Sequence, residues 1–411
     1  MSARESTNAA NAIALKRIRA CAPILKEVVL ASDVIGFEGR SLGHAGPPLD
    51  PGQVPAPTLL HALMGAVQHE GWASNPIDAK RLILEGEIRL HANHSLGVVS
   101  PMAGVVRPSQ RLFRVVDEAS GACSFATLAE KGQRVLRFGA YGTDVAQGLR
   151  FVETTIADAI AQALPPDGLP MLPLLERAVE LGDDVHQRNI AGMLSFLSAL
   201  APSLPMDVRD WLISHPQHFL NYAMAAAKLC LDAAVGVSGS SIVTAISRNG
   251  SDCGIQIAGL PGRWFKAPAV LPRGAWFPGF SEVDAHADLG DSAIMEAFGL
   301  GGCIAHTSPE IARAMDRSWE EATACGNAMQ RLFAGHHSWR APALSGAPAL
   351  GLGLDAYAVL ERATGVRIHT GVAHRNGISG WIGIGVAEAP VACFASAVNA
   401  LGEVTSERER P

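Results

Sequence analysis

The chain has 411 residues, 48% of them hydrophobic, which exceeds what one simple core holds and predicts two or three packed units. A formal net charge of −6 and a pI near 6.2, with lysines and arginines scattered singly, argue against nucleic acid or an anionic membrane surface as the main partner. That leaves a small molecule or another protein. Seven cysteines, an odd number and widely spread without a CxxC pair, predict reduced thiols rather than a disulfide framework or zinc ribbon. The first twenty residues lack the apolar stretch of a signal peptide, and no run reaches the ~18 apolar residues of a membrane span. The expectation is a soluble, cytoplasmic protein. Abundant Gly and Ala with 6% aromatics suggest close backbone packing and a homo-oligomer.

In chain order, residues 8–20 have helical spacing, and PILKEVVLASDVIG then reads as a β-rich run. It ends in a Gly/Pro loop, residues 39–57, that carries His44, a candidate ligand-facing residue. Apolar residues recurring at three and four predict a helix from Thr58, and a second covers 76–85. Residues 86–128 are strand-rich, with alternation around LFRVVD. Helical patterns fill the stretch from Leu169 to Val235, as MLPLLERAVELG, DDVHQRNIAGMLSFLSALAP, MDVRDWLIS and HFLNYAMAAAKLCLDAAVG. Strands return in IQIAGL after an SRNG turn, followed by an aromatic loop at 262–280 and helices from Ile294 and over 311–332. Three strand-like runs, ALGLGLDAYAVLE, VRIHTGVAHR and GWIGIGVAEAP, precede a closing helix through Ala400, and the tail TSERERP is expected to be disordered. The fold class expected is α/β (α+β) and multidomain: two mixed α/β units, 1–165 and 236–411, flanking a small helical domain at 166–235.

The most site-like stretch is 236–303. Ser238, Gly239, Ser240 and Ser241 follow a long apolar helix and can offer hydroxyls and N–H groups to an anion. Arg248 and Asn249 follow, and Asp288, Asp291 and Ser292 precede an apolar run as candidate helix caps. The alternative is a set of turn and cap residues in a glycine-rich core. In LGDDVHQRNIAGM, Asp183, His186 and Asn189 fall at i, i+3 and i+6 near a predicted helix start, which would place Asp183 beside His186 to orient an acid/base imidazole. Arg188 on the same turn can clamp an oxoanion. Two His-x-x-His pairs, His91 with His94 and His215 with His218, lack a third ligand, so no metal and no cofactor is expected; His94 is instead a candidate pocket acid/base or donor. His374 and Arg375 sit at a strand end before a glycine turn, where ligands often bind. Complete GxGxxG, GxxxxGK[ST] and GxSxG motifs are absent.

The ordered motifs HAGPP, SPMAGVV, LRFGAY, GDDVHQRN, FLNYAMAAAK, SRNGSDCGI, RWFKAPA, PGF, DLGDSAIMEAFGLGG and TGVAHRNGISGWIGIGV run from Ile13 to Leu401. With them the chain resembles a conserved family that includes YahG- and YlbE-type proteins and the AllG subunit of oxamate carbamoyltransferase, often encoded beside FdrA. The resemblance implies a multidomain α/β assembly and a reaction in which oxalurate and phosphate give oxamate and carbamoyl phosphate, in purine (allantoin) catabolism. It implies FdrA-like and AllH-like partner subunits. Such chemistry requires two anions held together, for which Arg188, Arg248, Arg375 and the serines Ser240 and Ser241 are candidates, with Asn249 as an oxyanion donor. His186, oriented by Asp183, is the first candidate to protonate the leaving nitrogen; His374 and His94 come second. The family tends to carry a Cys or extra His near HANHS, where this chain has Ala92 and Asn93, so the substrate can differ. A stand-alone C–N hydrolase or ring-opening amidase, with water in place of phosphate, and a non-catalytic metabolite-binding subunit are the competing readings.

Overall fold

The computed structural model describes residues 3–200, 203–315, 317–339 and 349–408. Its organising element is the helix His218–Asp232, whose residues from His218 through Leu231 are all buried. The sequence explains why a helix can be so enclosed. Ala223, Ala225, Ala226 and Ala227 are good helix formers that let neighbouring backbones approach, and Ser124 donates its hydroxyl to the Ala225 carbonyl at 2.7 Å. Lys228, the one cation buried within it, reaches Asp232 one turn later at 2.7 Å.

The three larger sheets make a mixed α+β architecture. The first orders Val98–Val99, Ala122–Thr127, Arg111–Asp117, Ile24–Leu30 and Leu169–Pro170, antiparallel except for the parallel pairing of Val98–Val99 with Ala122–Thr127. The second is antiparallel, in the order Phe265–Pro268, Asp252–Ile257, Val243–Asn249 and Leu289–Gly290. The third joins Arg273–Trp276, Trp381–Ala389 and Val366–Ala373. Helix His218–Asp232 touches strands of both the first and second sheets. One apolar core accordingly runs through residues as distant as Leu25, Phe113, Phe196, Tyr222, Ile246, Phe298 and Phe394, so it crosses positions 165 and 235 without a break. A second core gathers Leu59, Leu63, Leu82, Phe138 and Leu149 beneath the helices Pro57–His69 and Pro76–Leu84.

Several expectations give way to local physics. The run 183–189 is an irregular loop, and the helix begins at Ile190. The run 349–361 is the strand Gly351–Leu354 followed by the helix Ala356–Arg362, because Asp355 caps it by accepting from the Tyr357 amide at 3.0 Å. The Gly/Pro loop at 39–57 contains a strand, Ser41–His44, parallel to Arg89–Ala92. The aromatic loop at 262–280 contains two short strands. Unanticipated helices cover Thr143–Phe151 and Ala157–Ala163, joined through a π-helical turn Val152–Ile156. The closing helix continues to Arg408, past the start of the expected disordered tail, whose last residues, 409–411, lie outside the described residues. No helix among the described residues is long and apolar enough to cross a membrane.

Arg248 shows how charge is used inside this core. It is 1% exposed, its Nε and Nη2 hold both oxygens of Asp288 at 2.7 and 3.2 Å, and Nη1 donates to the Gly290 carbonyl. Removing one partner strands a buried charge. Arg248→Met is therefore expected to cost about 3–5 kcal/mol in urea unfolding; a loss below about 1 kcal/mol would show that the pair does not hold the hairpin to strand Leu289–Gly290.

Candidate active site

The site is built around a carboxylate that no local signal pairs. Glu296 lies in the single helical turn Ile294–Ala297 and is fully buried. A buried carboxylate must be satisfied, and three donors meet it: the His186 ring through Nδ1 at 2.8 and 3.0 Å, the Gly302 amide at 2.8 Å and the His369 amide at 3.2 Å. Gly301 makes this approach possible. At φ +59° it takes a left-handed turn, and a methyl group there would overlap the Glu296 carboxylate and lie 3.1 Å from His186 Nδ1.

His186 is presented by the loop 181–189, which Asp184 shapes. One Asp184 oxygen accepts from the amides of His186 and Arg188 at 3.0 and 2.7 Å, while the other meets His369 Nδ1 at 2.5 Å. Its carbonyl accepts from the Gly301 amide at 2.8 Å. Burial pushes the Asp184 carboxyl up, but the hydrogen bond and charge of His369, with the two loop amides, outweigh it and hold the acid below its ordinary range. Between Asp184 and His186, Val185 adopts φ +57°, a costly conformation for a β-branched residue of the kind stored at functional sites. Asn189 finishes the loop, donating to the His186 carbonyl at 3.0 Å and to Gln217 at 2.8 Å.

With Nδ1 committed to Glu296, Nε2 is the His186 nitrogen left for a ligand. His186 lines a cavity of about 350 Å³. Phe138, Phe277 and Trp381 form an aromatic wall, Trp381 stacking on Phe138 at 5.8 Å and meeting Phe277 edge-on at 4.9 Å. Ser292, Gln187 and Gln217 add polar groups; Lys131 and Arg137 add charge. Among the described residues no acidic side chain lines it. Among the described residues no group of three or more His, Cys, Asp or Glu is placed to hold a metal ion.

Of the residues singled out from the sequence, His186, His215 and Ser292 line this cavity, and Asn189 supports it. Asp183 does not orient His186, because the run is not helical. Its carboxylate accepts from the Gly192 amide at 2.8 Å and faces Arg188 Nε at 3.3 Å, an ion pair that engages one nitrogen of that guanidinium. Asp291 does not cap the following helix; it accepts from the Gly46 and Ser100 amides, Asn93 and the Ser247 hydroxyl, clamping four segments together. Ser240 and Ser241 bind Asn11, and Ser241 donates to Asp355 at 2.6 Å, so both anchor the N-terminal helix. Arg248 is locked to Asp288, and Asn249 closes the hairpin turn through the Ser251 and Asp252 amides. His44 hydrogen-bonds the Ala45 carbonyl, and burial lowers its pKa to about 4. His94 is buried with both ring nitrogens unpartnered, its pKa held well down by desolvation, 3.8 Å from Asp291. His374 accepts from the Asn376 amide in a turn, and Arg375 is exposed there. None of these lines the cavity. Glu296, Asp184, His369 and Arg137 carry what sequence reasoning did not assign; the signals were an acid inside the apolar AIMEAFG, the second Asp of GDD, and the arginine of LRFGAY.

The fold and site define an α+β protein with a histidine held by a buried carboxylate at the wall of an acid-free cavity. The family model of the oxamate carbamoyltransferase subunit AllG matches residues 88–292. The oxamate carbamoyltransferase subunit AllG of Escherichia coli (strain K12) is 35% identical over 409 residues, spanning 96% of this chain and 97% of that protein. An uncharacterized protein YahG of the same strain is 30% identical over 401 residues, spanning 95% and 85%. The crystal structure of a conserved protein of unknown function from Enterococcus faecalis V583 superposes with a TM-score of 0.93 at 31% identity, covering 98% of this chain and 99% of the other. The chain belongs to the AllG family.

Asp183 supplies a pH test. Burial first, and the neighbouring Asp184 charge, raise its pKa from 3.8 to about 6 against the opposing Gly192 amide and Arg188. The folded state then holds this proton more tightly than the unfolded one. Stability from this group is present below pH ~4 and falls by up to about 3 kcal/mol as pH rises through ~6. Asp183→Asn should flatten urea stability between pH 4.5 and 7; an unchanged slope would assign the proton elsewhere.

Proposed function

We propose that the chain is the subunit of a carbamoyltransferase that carries the acid/base histidine, acting on a small anionic amide or ureido compound with phosphate as the carbamoyl acceptor. The observation that carries this reading is His186, its Nδ1 held by the buried Glu296 and its Nε2 left for the cavity. In the oxalurate direction a phosphate oxygen adds to the carbamoyl carbon to form a tetrahedral intermediate. Its C–N bond then breaks, and His186 delivers a proton from Nε2 to the departing nitrogen, leaving oxamate and carbamoyl phosphate. Glu296 keeps the imidazole in the productive tautomer and compensates the charge it carries when doubly protonated. In reverse, His186 takes the proton from the attacking amide nitrogen. No cysteine lines the cavity, and the reaction needs no covalent enzyme intermediate because phosphate is itself the nucleophile. Ser292 is the hydroxyl available to the developing oxyanion.

The name of the Escherichia coli relative, a subunit, supports a working assembly with partner subunits, for which the FdrA-like and AllH-like proteins implied by the resemblance are the candidates. The experiment is an assay of the purified chain with such partners, using carbamoyl phosphate with oxamate and, separately, oxalurate with phosphate. His186→Gln is expected to lower kcat by about 10²–10⁴-fold with KM changed only a few-fold, and Glu296→Gln to lower it by about 10²-fold with a displaced pH profile. Turnover within twofold of wild type in His186→Gln would remove the catalytic assignment and leave a binding subunit. Product lacking carbamoyl phosphate would point to water as the acceptor, hence a hydrolase.

A further inference from the structure

An anion entering this cavity needs a counter-charge, and the arginines can be accounted for one by one. Arg248 is locked to Asp288 and Arg188 is engaged by Asp183. Arg375 stands exposed on its turn. Arg107, as buried as Arg248, is spent on Glu70 and Glu153. Arg137 is different.

It is half-buried and lines the cavity, with no ion-pair partner among the described residues. Glu130 acts on it only from a distance, since a Glu130 oxygen accepts from the Leu136 amide at 3.0 Å. Its main chain is pinned, the Arg137 carbonyl accepting from the Ala103 amide at 2.9 Å, and its guanidinium lies over the Phe138 ring at 5.7 Å from the centroid. Desolvation already pulls its pKa down, so the unpaired charge is a standing cost. Lys131 lines the same cavity, steadied by the Ser214 hydroxyl at 2.6 Å. Two cations, no lining acid and an apolar aromatic wall together make a receptor for a small oxoanion with little hydration to lose.

We propose that Arg137 is the oxoanion anchor of this cavity, its planar fork gripping two oxygens of a carboxylate or phosphate, with Lys131 as the second cation. A guanidinium matches such groups in a bidentate way that an ammonium cannot. The proposal rests on the carbamoyl-transfer reading for the choice of ligands, because that reaction brings a carboxylate and a phosphate to one place. Arg137 grips the oxoanion, while His186 serves the breaking C–N bond.

The test is isothermal titration of the full-length chain with sodium phosphate alone and with oxamate alone, at fixed ionic strength. Arg137→Gln is expected to weaken at least one probe tenfold or more, and an exposed control, Arg313→Gln, to change neither. Loss confined to oxamate makes the ligand the substrate carboxylate; loss confined to phosphate makes it the acceptor; equal loss assigns a shared oxoanion position. Unchanged affinity for both probes overturns the proposal, as does a wild-type chain that binds neither. If Arg137→Gln fails to fold, Arg137→Lys retains charge without the fork and should still weaken binding several-fold. Because binding is read without turnover, failure of the transferase reading and failure of the anchor separate: a chain that binds through Arg137 but produces no carbamoyl phosphate keeps the anchor and loses the reaction.

Discussion

The constraint on which this molecule turns is the buried carboxylate of Glu296. Such a group has to be surrounded by donors or it unfolds the region around it. Here two of the donors come from far along the chain, a ring on the loop 181–189 and an amide on strand Val366–Ala373, and the third is the nearby amide after the glycine turn. Asp184 repeats the logic from the other side, binding the second histidine while shaping the loop that carries the first. The two acids and two histidines form a closed set, each residue positioned by another. A histidine oriented in this way has its tautomer set, as the proposed proton transfer requires.

Charge is sorted by task elsewhere too. Asp291, Asp288 and Arg248 knit the second sheet to the loops on either side and have little left to offer a ligand. The cavity is kept free of acids, and its cations are left to neutral neighbours such as the Ser214 hydroxyl and the Phe138 ring. Groups that stabilise and groups that bind are thus drawn from the same residue types but separated by whether their partners lie within the protein.

This separation explains what could be read from the amino-acid order. The hairpin about Arg248, Asn249 and Gly250, the helices on either side of Pro205 and the long buried helix are specified by local period and turn residues, and they stand where the pattern puts them. His186 and Ser292 could be singled out by type and context, and both line the cavity. The partner of His186 could not. Asp183 is near in sequence, but Asp184 competes for the loop amides and Val185 turns left-handed, so no helical face forms there. The true partner is 110 residues away, and nothing in local spacing announces it. Arginine is equally ambiguous, since only the surrounding carboxylates decide whether it binds the protein or something else.

The hydrogen bond from His369 to Asp184 spans 185 positions, and the neighbouring contact between strand and Glu296 spans 73. Contacts of that range are the last to be made as a chain emerges and collapses. When residue 300 leaves the ribosome, His186 and Glu296 both exist, but the strand that fixes them does not. The arrangement is therefore a property of the finished chain: an incomplete copy, however well its helices have formed, would carry His186 and Glu296 without the strand that fixes them.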